Sequence, residues 1–572
     1  MKEILEEELK TILRNIGIQN PTITFDVPIH VELGDYSTNV AMAYAKQLGT
    51  KPVDLAEEIK KKLTEKSIEN IFKINVIAPG FLNFFFNENY FGGVVKEIIL
   101  KKNKYGESDS LLGQKIMVEF TDPNPFKEFH IGHLMSNSIG ESISRILESQ
   151  GAKVFRANWQ GDVGVHIAKA VWGMFHSPLS NDDKSSIEKS VIYLGRCYAL
   201  GASQYEEDEK VKKEIQEINN KIYEKSDLEI NEKYEWGRKV SLDYFEIIYK
   251  KLGTKFDYYF FESKEGVLGK KIVEEYLEKG IFEKSDGAVV FKGEKYGLHT
   301  RVFINSNDIP TYEAKELGLN REKFIVEPKL DQSVIITGNE INEYFKVLLQ
   351  VISLIFPEVG QKTKHISHGM LRLPEGKMSS RTGNVITAES LILEVQQKTL
   401  EKMKDRRMSE KTQQEISETI AIGALKYSIL KQTTGKDIIF DFDKSVSFEG
   451  DSGPYLQYAT VRANSILKKS ASSADQPMRL GEIPENWKTT NLERILERFP
   501  SVMERAGTEY APSHIATYLI ELSGEFNSFY ASHKIINETD PTSSYRLALT
   551  QAFVYIMTSG LNLLAIKIPE QM

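Results

Sequence analysis

Apolar residues recur at helical spacing through the first fifteen positions. Ile4, Leu5, Leu9, Ile12 and Leu13 share one face, which predicts an amphipathic helix. Thr22 to Val27 alternates as a strand does. Asp54 to Leu63 returns to helical spacing. Ile74 to Phe86 reads as two strand-like halves broken at Pro79-Gly80, and Tyr90 to Lys101 as a helix leading out. Residues 1–88 are therefore expected to form a small α+β domain.

The pattern then changes. Lys115 to Phe120 is a strand candidate, Asp122-Pro123-Asn124-Pro125 breaks it, His133 to Gln150 is helical up to Gly151, and Lys153 to Trp159 is again a strand. Strand, turn, helix and strand in that order give the βαβ signature of a parallel sheet, so the class is α/β. Residues 180–285 are rich in Lys and Glu and read as helices with solvated faces. A second strand-rich block follows at Ala288 to Phe291, Arg301 to Ile304 and Ser333 to Thr337. Helix resumes at Glu389. Lys469 to Pro484 reads as a loop within a mostly helical C-terminal region.

Composition narrows the class. The chain has 572 residues, 41% hydrophobic and 27% charged, which excludes a disordered or collagen-like protein. Its length predicts several domains. The longest apolar stretch, Val347 to Phe356, contains Gln350 and is far short of the roughly 20 residues a membrane helix needs. The N-terminus is acidic and amphipathic with no apolar signal core, so a cytoplasmic location is expected. One cysteine, Cys197, makes neither an internal disulfide nor a cysteine-rich zinc site. The net charge of −8 argues mildly against nucleic-acid binding but leaves room for a local basic face.

Two segments carry chemistry. In Glu119 to Leu134, His130 and His133 flank Ile131-Gly132 where a turn after a strand becomes a helix. A helix N-terminus favours anions through its free N–H groups and dipole. Gly132 leaves room for an adenine ring or ribose. The two histidines are placed to donate to phosphate oxygens as charge develops in adenylyl transfer. The second segment, Pro374 to Asn384, is a polar loop after the strand candidate Met370 to Leu373. Its Lys377 and Arg381 suit a leaving pyrophosphate, and Ser379 and Ser380 suit hydrogen bonds to phosphate.

The pairing of His-Ile-Gly-His with Lys377-Met378-Ser379-Ser380-Arg381 resembles the H-I-G-H and K-M-S-K-S signatures of class I aminoacyl-tRNA synthetases. Further blocks resemble the arginyl-tRNA synthetase family. Glu119, Asn124, His130 and His133 keep the spacing of its E-x-x-x-P-N-x-x-K-x-x-H-x-G-H segment. Arg156 to Gly164 is similar to R-x-N-x-x-G-D-W-G, with Val163 in the Trp place. Tyr312 to Glu316 is similar to Y-x-x-x-D, with Glu316 for Asp. Gly34 to Ala41, including Asn39, resembles the family's appended domain that contacts the tRNA elbow. Asp451 to Tyr458 and the closing Pro569 to Met572 resemble its anticodon-binding domain.

The resemblance implies a Rossmann-type catalytic core over residues 89–395 with an inserted segment at 175–300, a helical connection over 396–450, and a helical anticodon-binding bundle over 451–572. It implies activation of L-arginine by ATP, with magnesium accompanying the nucleotide and no tightly bound cofactor. Transfer to the terminal 2′-hydroxyl of tRNA(Arg) follows, and activation is expected to require bound tRNA. It further implies a monomer with no membrane partner. Catalysis falls to His130, His133 and Lys377. ATP falls to these with Gly132, Gly161, Asp162, Met378, Ser379, Ser380 and Arg381. No protein metal site is expected.

A guanidinium has five fixed donors and a permanent charge, so its pocket needs carboxylates. The candidates are Glu119, Glu316 and Glu340, with Asn124 at the α-carboxylate or α-amino end and Tyr312 stacking or hydrogen-bonding. Tyr455, Tyr458 and Tyr530 are candidates for stacking on anticodon bases, with Met572 and Asn39 as further tRNA contacts. Residues 451–572 carry 11 Lys/Arg against 13 Asp/Glu, so RNA contact there rests on shape and stacking more than on bulk charge. Glu316 for Asp lengthens the pocket floor, Val163 for Trp removes an aromatic wall, and the second signature ends in Arg. The competing readings are another class I synthetase, a small-molecule nucleotidyltransferase, and an inactive RNA-binding paralogue. One cysteine does not supply the zinc ligands typical of the cysteine-specific synthetases.

Overall fold

The computed structural model describes residues 1–28, 30–372, 387–404, 408–472 and 483–572, the side chains of 471–472 excepted. In chain order the elements are α1 (Lys2–Asn15), β1 (Tyr36–Thr38), α2 (Val40–Ala45), α3 (Pro52–Glu65), β2 (Ile71–Ile77), β3 (Phe81–Phe86), α4 (Glu88–Lys101), β4 (Lys115–Glu119), α5 (Ile131–Ser149) and β5 (Lys153–Gln160). There follow α6 (Val165–His176), α7 (Ile187–Glu207), α8 (Glu209–Glu224), α9 (Leu228–Leu252), β6 (Tyr258–Phe261), α10 (Glu262–Glu278), β7 (Glu283–Ser285), β8 (Ala288–Phe291), β9 (Arg301–Ile304), α11 (Tyr312–Val326) and β10 (Gln332–Gly338). The chain continues through α12 (Asn342–Ile355), α13 (Pro357–Lys362), β11 (Thr363–His368), β12 (Leu371–Arg372), α14 (Ala388–Lys402), α15 (Glu410–Leu430), β13 (Ile438–Ile439) and α16 (Phe442–Ser445). It ends in α17 (Gly453–Ser472), α18 (Asn491–Glu497), α19 (Phe499–Glu509), α20 (Ser513–Ser532) and α21 (Ser543–Leu563).

Two compact units result. One holds residues 1–105, 462–499 and 521–556; the other holds 106–461, 500–520 and 557–572. In the first, β1, β3 and β2 form an antiparallel sheet in that order, packed on α1 and α3 through Leu5, Leu9, Leu13, Leu55, Ile59 and Phe84. The expected strand at Thr22 to Val27 is reduced to one antiparallel bridge, Asp26 to Ser37.

The second unit is built on a five-stranded sheet, β11-β10-β4-β5-β6, parallel throughout. Chain order runs outward from β4 in one direction through β5 and β6, and in the other through β10 and β11. The carboxyl ends of β4 and β10 thus flank a topological switch point, where open α/β sheets bind ligands. Helix α5 closes the β4–β5 crossover. A side chain at Gly140 of α5 would run into the Phe120 ring, so helix and strand pack at van der Waals contact. β7, β8 and β9 form a separate antiparallel sheet, β7 and β8 within the segment expected as an insert and β9 directly after it.

The sequence reading of a strand-rich block over 288–337 and of helix resuming only at Glu389 is corrected here. α11, α12 and α13 lie in that span. On α11 the apolar Ala314, Leu317 and Leu319 are interleaved with Lys315, Glu316, Asn320 and Lys323, all of them buried. Such a helix has no clean apolar stripe, which is why periodicity alone missed it.

Candidate active site

β4 ends at Glu119, and the next seven residues turn sharply. Thr121, Asp122 and Phe126 have φ of 82°, 47° and 65°, in the left-handed region that non-glycine residues enter at a cost. The turn is pinned on every side. Thr121 N–H donates to Ser136 Oγ at 2.9 Å, Asn137 Nδ2 to Thr121 Oγ1 at 3.0 Å, Phe126 N–H to Ser241 Oγ at 2.9 Å, and Trp159 N–H to Asp122 Oδ1 at 2.8 Å. The strain is held by the surrounding fold and aims the loop across the carboxyl end of the sheet.

His130 is the N-cap of α5. Its Nδ1 accepts from Gly132 N–H at 3.1 Å and His133 N–H at 3.4 Å, while His130 N–H donates to His133 Nδ1 at 3.2 Å. The result is a capping box made of two histidines, their rings stacked 3.5 Å apart. Because each Nδ1 accepts, each ring carries its proton on Nε2. Burial, then Lys127, lowers the His130 pKa against the pull of Glu340; burial, then His130 and Lys127, lowers that of His133 well below the usual range. Two neutral imidazoles each keep one N–H donor available. The expectation of free helix N–H groups is corrected: those of Gly132 and His133 are taken by the His130 ring, and that of Leu134 by the His130 carbonyl at 3.2 Å. What this helix end offers an anion is the two Nε2–H groups and the dipole.

Lys377, Met378, Ser379, Ser380 and Arg381 lie outside the described residues. The chain on the far side of that segment is described, however. Thr387 forms an antiparallel bridge with His130, and Ala388 N–H donates to the Phe129 carbonyl at 2.8 Å.

Beside the histidine turn lies a buried acidic cluster. Glu119 is 1% exposed and ion-paired with Lys323 of α11, whose side chain is wholly buried. Glu119 Oε2 and Lys323 Nζ have no other hydrogen-bond partner among the described residues. Glu316, also 1% exposed, accepts from Asn320 Nδ2 at 3.1 Å. Burial, then the Glu119 charge, raises both Glu316 and Asp122 well above the ordinary carboxylate range, and Lys323 opposes this in each. The Tyr312 hydroxyl belongs to the same cluster: burial, then Glu316, raises it well above the usual tyrosine value. The residue as a whole is 43% exposed, and its ring packs 5.0 Å from Trp159 and 5.3 Å from Tyr344.

Among the expected residues, Glu119, Asn124, Gly161, Tyr312 and Glu316 come together. A side chain at Gly161 would overlap the Asn124 carboxamide oxygen and crowd Glu262. Glu340 stands apart. It is exposed, its carboxylate folds over Gly338, and its charge is felt by His130 and His368. Asp162 is buried and occupied: Ser263 N–H and Oγ–H donate to it at 2.8 Å each, Arg238 Nε–H at 2.9 Å, and Tyr234 O–H at 3.4 Å. It fixes the loop that presents Gly161. Val163 is 3% exposed and packs in a core with Phe126 and Ile167.

Tyr455 and Tyr458 sit half-buried on α17, Tyr458 edge-on to Phe448 at 6.3 Å. Met572 packs beside Met403, Ile416 and Ile420. Tyr530 belongs to the other compact unit, with the Arg462 guanidinium 4.2 Å above its ring. Asn39 is exposed in that unit, where its Oδ1 accepts from Thr24 Oγ1–H at 3.4 Å.

Sequence reasoning missed four neighbours. Asp122 was read only as a strand breaker. Glu262 immediately follows β6 and pairs with buried Lys315 at 2.6 Å; a carboxylate just past a parallel strand was the available signal. Lys323 lies seven residues after Glu316 on the unrecognised α11. His166 meets the Gly161 carbonyl at 2.9 Å, and burial, then Lys127, pushes its pKa down to about 3.

Three family models match the chain: "tRNA synthetases class I (R), catalytic domain" over residues 94–442, "DALR anticodon binding domain" over 456–572, and "Arginyl tRNA synthetase N terminal domain" over 1–86. The arginine–tRNA ligase of Treponema denticola is 32% identical over 564 residues, covering 96% of this chain and 95% of that protein. That of Lactobacillus delbrueckii subsp. bulgaricus is 30% identical over 583 residues, covering 100% of both. Among solved structures, Thermus thermophilus arginyl-tRNA synthetase is similar with a TM-score of 0.80 at 23% identity, covering 100% of both chains. The Plasmodium falciparum enzyme is similar with a TM-score of 0.77 at 18% identity, covering 100% of this chain and 99% of that one.

Proposed function

The chain belongs to the arginyl-tRNA synthetases, ligases that join arginine to tRNA at the expense of ATP, and we propose that the histidine turn and the buried acidic cluster are the two halves of its active site. The observation that carries this reading is their adjacency at the switch point of the parallel sheet. A donor pair suited to phosphate and a carboxylate cluster suited to a cation flank the ends of β4 and β10.

Arginine enters with its guanidinium toward Glu316, Asp122 and the Tyr312 hydroxyl. Asp122 also faces the α-ammonium, Asn124 serves the α-carboxylate, and Glu119 lines the pocket in its ion pair with Lys323. ATP lies over Gly132 and Gly161, where side chains would intrude. The arginine carboxylate attacks the α-phosphorus, the bond to the bridging oxygen breaks, and pyrophosphate leaves with the electron pair. His130 and His133 donate Nε2–H to the α-phosphate oxygens as charge builds there. Lys377 and Arg381, on the segment that rejoins the described chain at Thr387 beside His130, neutralise the departing pyrophosphate. The arginyl group then passes to the 2′-hydroxyl of the terminal adenosine of tRNA(Arg), releasing AMP. Positioning and electrostatics supply the rate, with no covalent enzyme intermediate.

Magnesium comes with ATP as a hard cation on phosphate oxygens. Among the described residues no group of three or more His, Cys, Asp or Glu is arranged to hold a metal by itself. No described helix is long and apolar enough to cross a membrane. A cytoplasmic monomer fits this reading. Tyr455, Tyr458, Tyr530, Asn39 and Met572 are proposed as tRNA contacts.

The test is arginine-dependent ATP–pyrophosphate exchange with tRNA present, on Glu316→Gln and Glu340→Gln. The first variant is expected to raise the KM for arginine at least tenfold, about 1.4 kcal/mol of binding, and the second to leave it near wild type. The reverse order would overturn the pocket assignment.

A further inference from the structure

Lys323 is an unexpected group to find beside a pocket for a cation. Its ammonium is wholly buried and contacts Glu119. A fixed positive charge there repels the guanidinium the site receives. Its presence therefore has to be weighed against the charges around it. Glu119 from β4, Asp122 from the following turn and Glu316 from α11 bring three carboxylates, and Lys323 returns one positive charge. Glu262 of α10 is matched separately by Lys315 at 2.6 Å. The Tyr312 and Tyr344 hydroxyls, from α11 and α12, face the same cluster and stay protonated, because burial and Glu316 raise both. Two carboxylates remain unmatched. Arginine carries two cationic groups, the guanidinium and the α-ammonium.

We propose that Lys323 is a positioning residue for arginine. It holds Glu119 in a fixed ion pair and sets the number of unmatched carboxylates in the pocket equal to the number of cationic groups on the substrate. The inference rests on the reading that this pocket takes arginine. Until arginine arrives, the unmatched pair retains protons, since buried carboxylates without a cation take up a proton in preference to standing charged. Binding exchanges those protons for the substrate's charges.

Linkage turns this into a number. The slope of log KM for arginine against pH counts the protons that binding displaces. Glu119→Gln removes one carboxylate from the pocket, the Lys323 ammonium is then free to pair with Asp122 or Glu316, and one proton fewer is held and displaced. The experiment is tRNA-supported ATP–pyrophosphate exchange across the neutral range, with KM measured for arginine and for ATP. For Glu119→Gln the arginine slope is expected to become shallower by about one log unit per pH unit, with the ATP value unmoved. A slope equal to wild type would overturn the proposal, as would equal changes in both substrates.

The double variant Lys323→Met, Glu119→Gln removes both charges of the pair and restores two unmatched carboxylates, so its slope is expected to equal that of wild type; a slope as shallow as that of Glu119→Gln alone overturns the proposal. The two layers fail differently. Wild type without arginine-dependent exchange sinks the pocket reading itself. Active wild type with a slope that Glu119→Gln shares sinks only the role of Lys323.

Discussion

His130 caps α5 with one ring nitrogen and is proposed to serve the α-phosphate with the other, and a pair of substitutions separates the two roles. Nδ1 caps α5 by accepting from Gly132 N–H at 3.1 Å and, more weakly, from His133 N–H at 3.4 Å. In the proposed mechanism Nε2 carries the proton offered to the α-phosphate. His130→Ala removes both functions. Losing an N-cap side chain costs about 1 kcal/mol of stability, and losing one donor to a developing oxyanion lowers the chemical rate about 100- to 1000-fold. His130→Asn restores the cap, since asparagine is among the best N-cap residues, but offers no donor in the imidazole Nε2 position. His130→Asn is therefore expected to match wild type in stability within about 0.5 kcal/mol while matching His130→Ala in lost activity. Urea unfolding followed by circular dichroism gives the first quantity. Single-turnover formation of arginyl-adenylate with tRNA bound gives the second. Wild-type rate in His130→Asn would refute the donor role. A stability loss in Asn equal to that in Ala would refute the cap.

Gly140→Ala should destabilise the fold by about 1–3 kcal/mol through overpacking, because its methyl meets the Phe120 ring; an unchanged urea midpoint would show that α5 and the end of β4 are not in tight contact. In wild type the KM for arginine should fall as pH rises through neutrality, because burial and Glu119 raise the pKa of Asp122 and Glu316 and their ionised forms are the ones that bind a cation. A flat profile would place the substrate elsewhere. Lys426 is fully buried and donates to the Leu252 carbonyl and, at 2.8 Å, to the Ala565 carbonyl, while burial, then Arg145, pushes its pKa down to about 7. Between pH 7 and the ordinary lysine range the unfolded chain holds a proton that the folded chain has released, so this lysine makes stability rise with pH over that window. Lys426→Met should flatten that rise, and an equal rise in the variant would contradict the assignment.

Most of the scaffold was legible because its elements obey one period at a time. The amphipathic α1, the break at Pro79-Gly80 between β2 and β3, and the β4–α5–β5 crossover all follow from apolar spacing and turn residues. The two histidines were legible as a pair because a turn between strand and helix is where such residues meet phosphate. Their mutual capping was not, because the lone-pair geometry of two rings depends on a stack 3.5 Å apart that spacing alone does not reveal. The acid pocket was half legible. Glu119 and Glu316 stood in recognisable blocks, but Lys323, Asn320 and Glu316 line up only once α11 is known to be a helix, and its buried polar residues concealed that. Glu340 lies apart from the acidic cluster because the chain turns its carboxylate back over Gly338, a fold that spacing does not reveal.

The most direct measurement is aminoacylation of total tRNA by the purified chain with ATP and magnesium, run separately with each of the twenty amino acids. A pocket whose Glu316, Asp122 and Tyr312 groups are proposed to meet the planar donors of a guanidinium predicts charging with arginine alone. Charging with any other amino acid, or tRNA binding without charging, would contradict it.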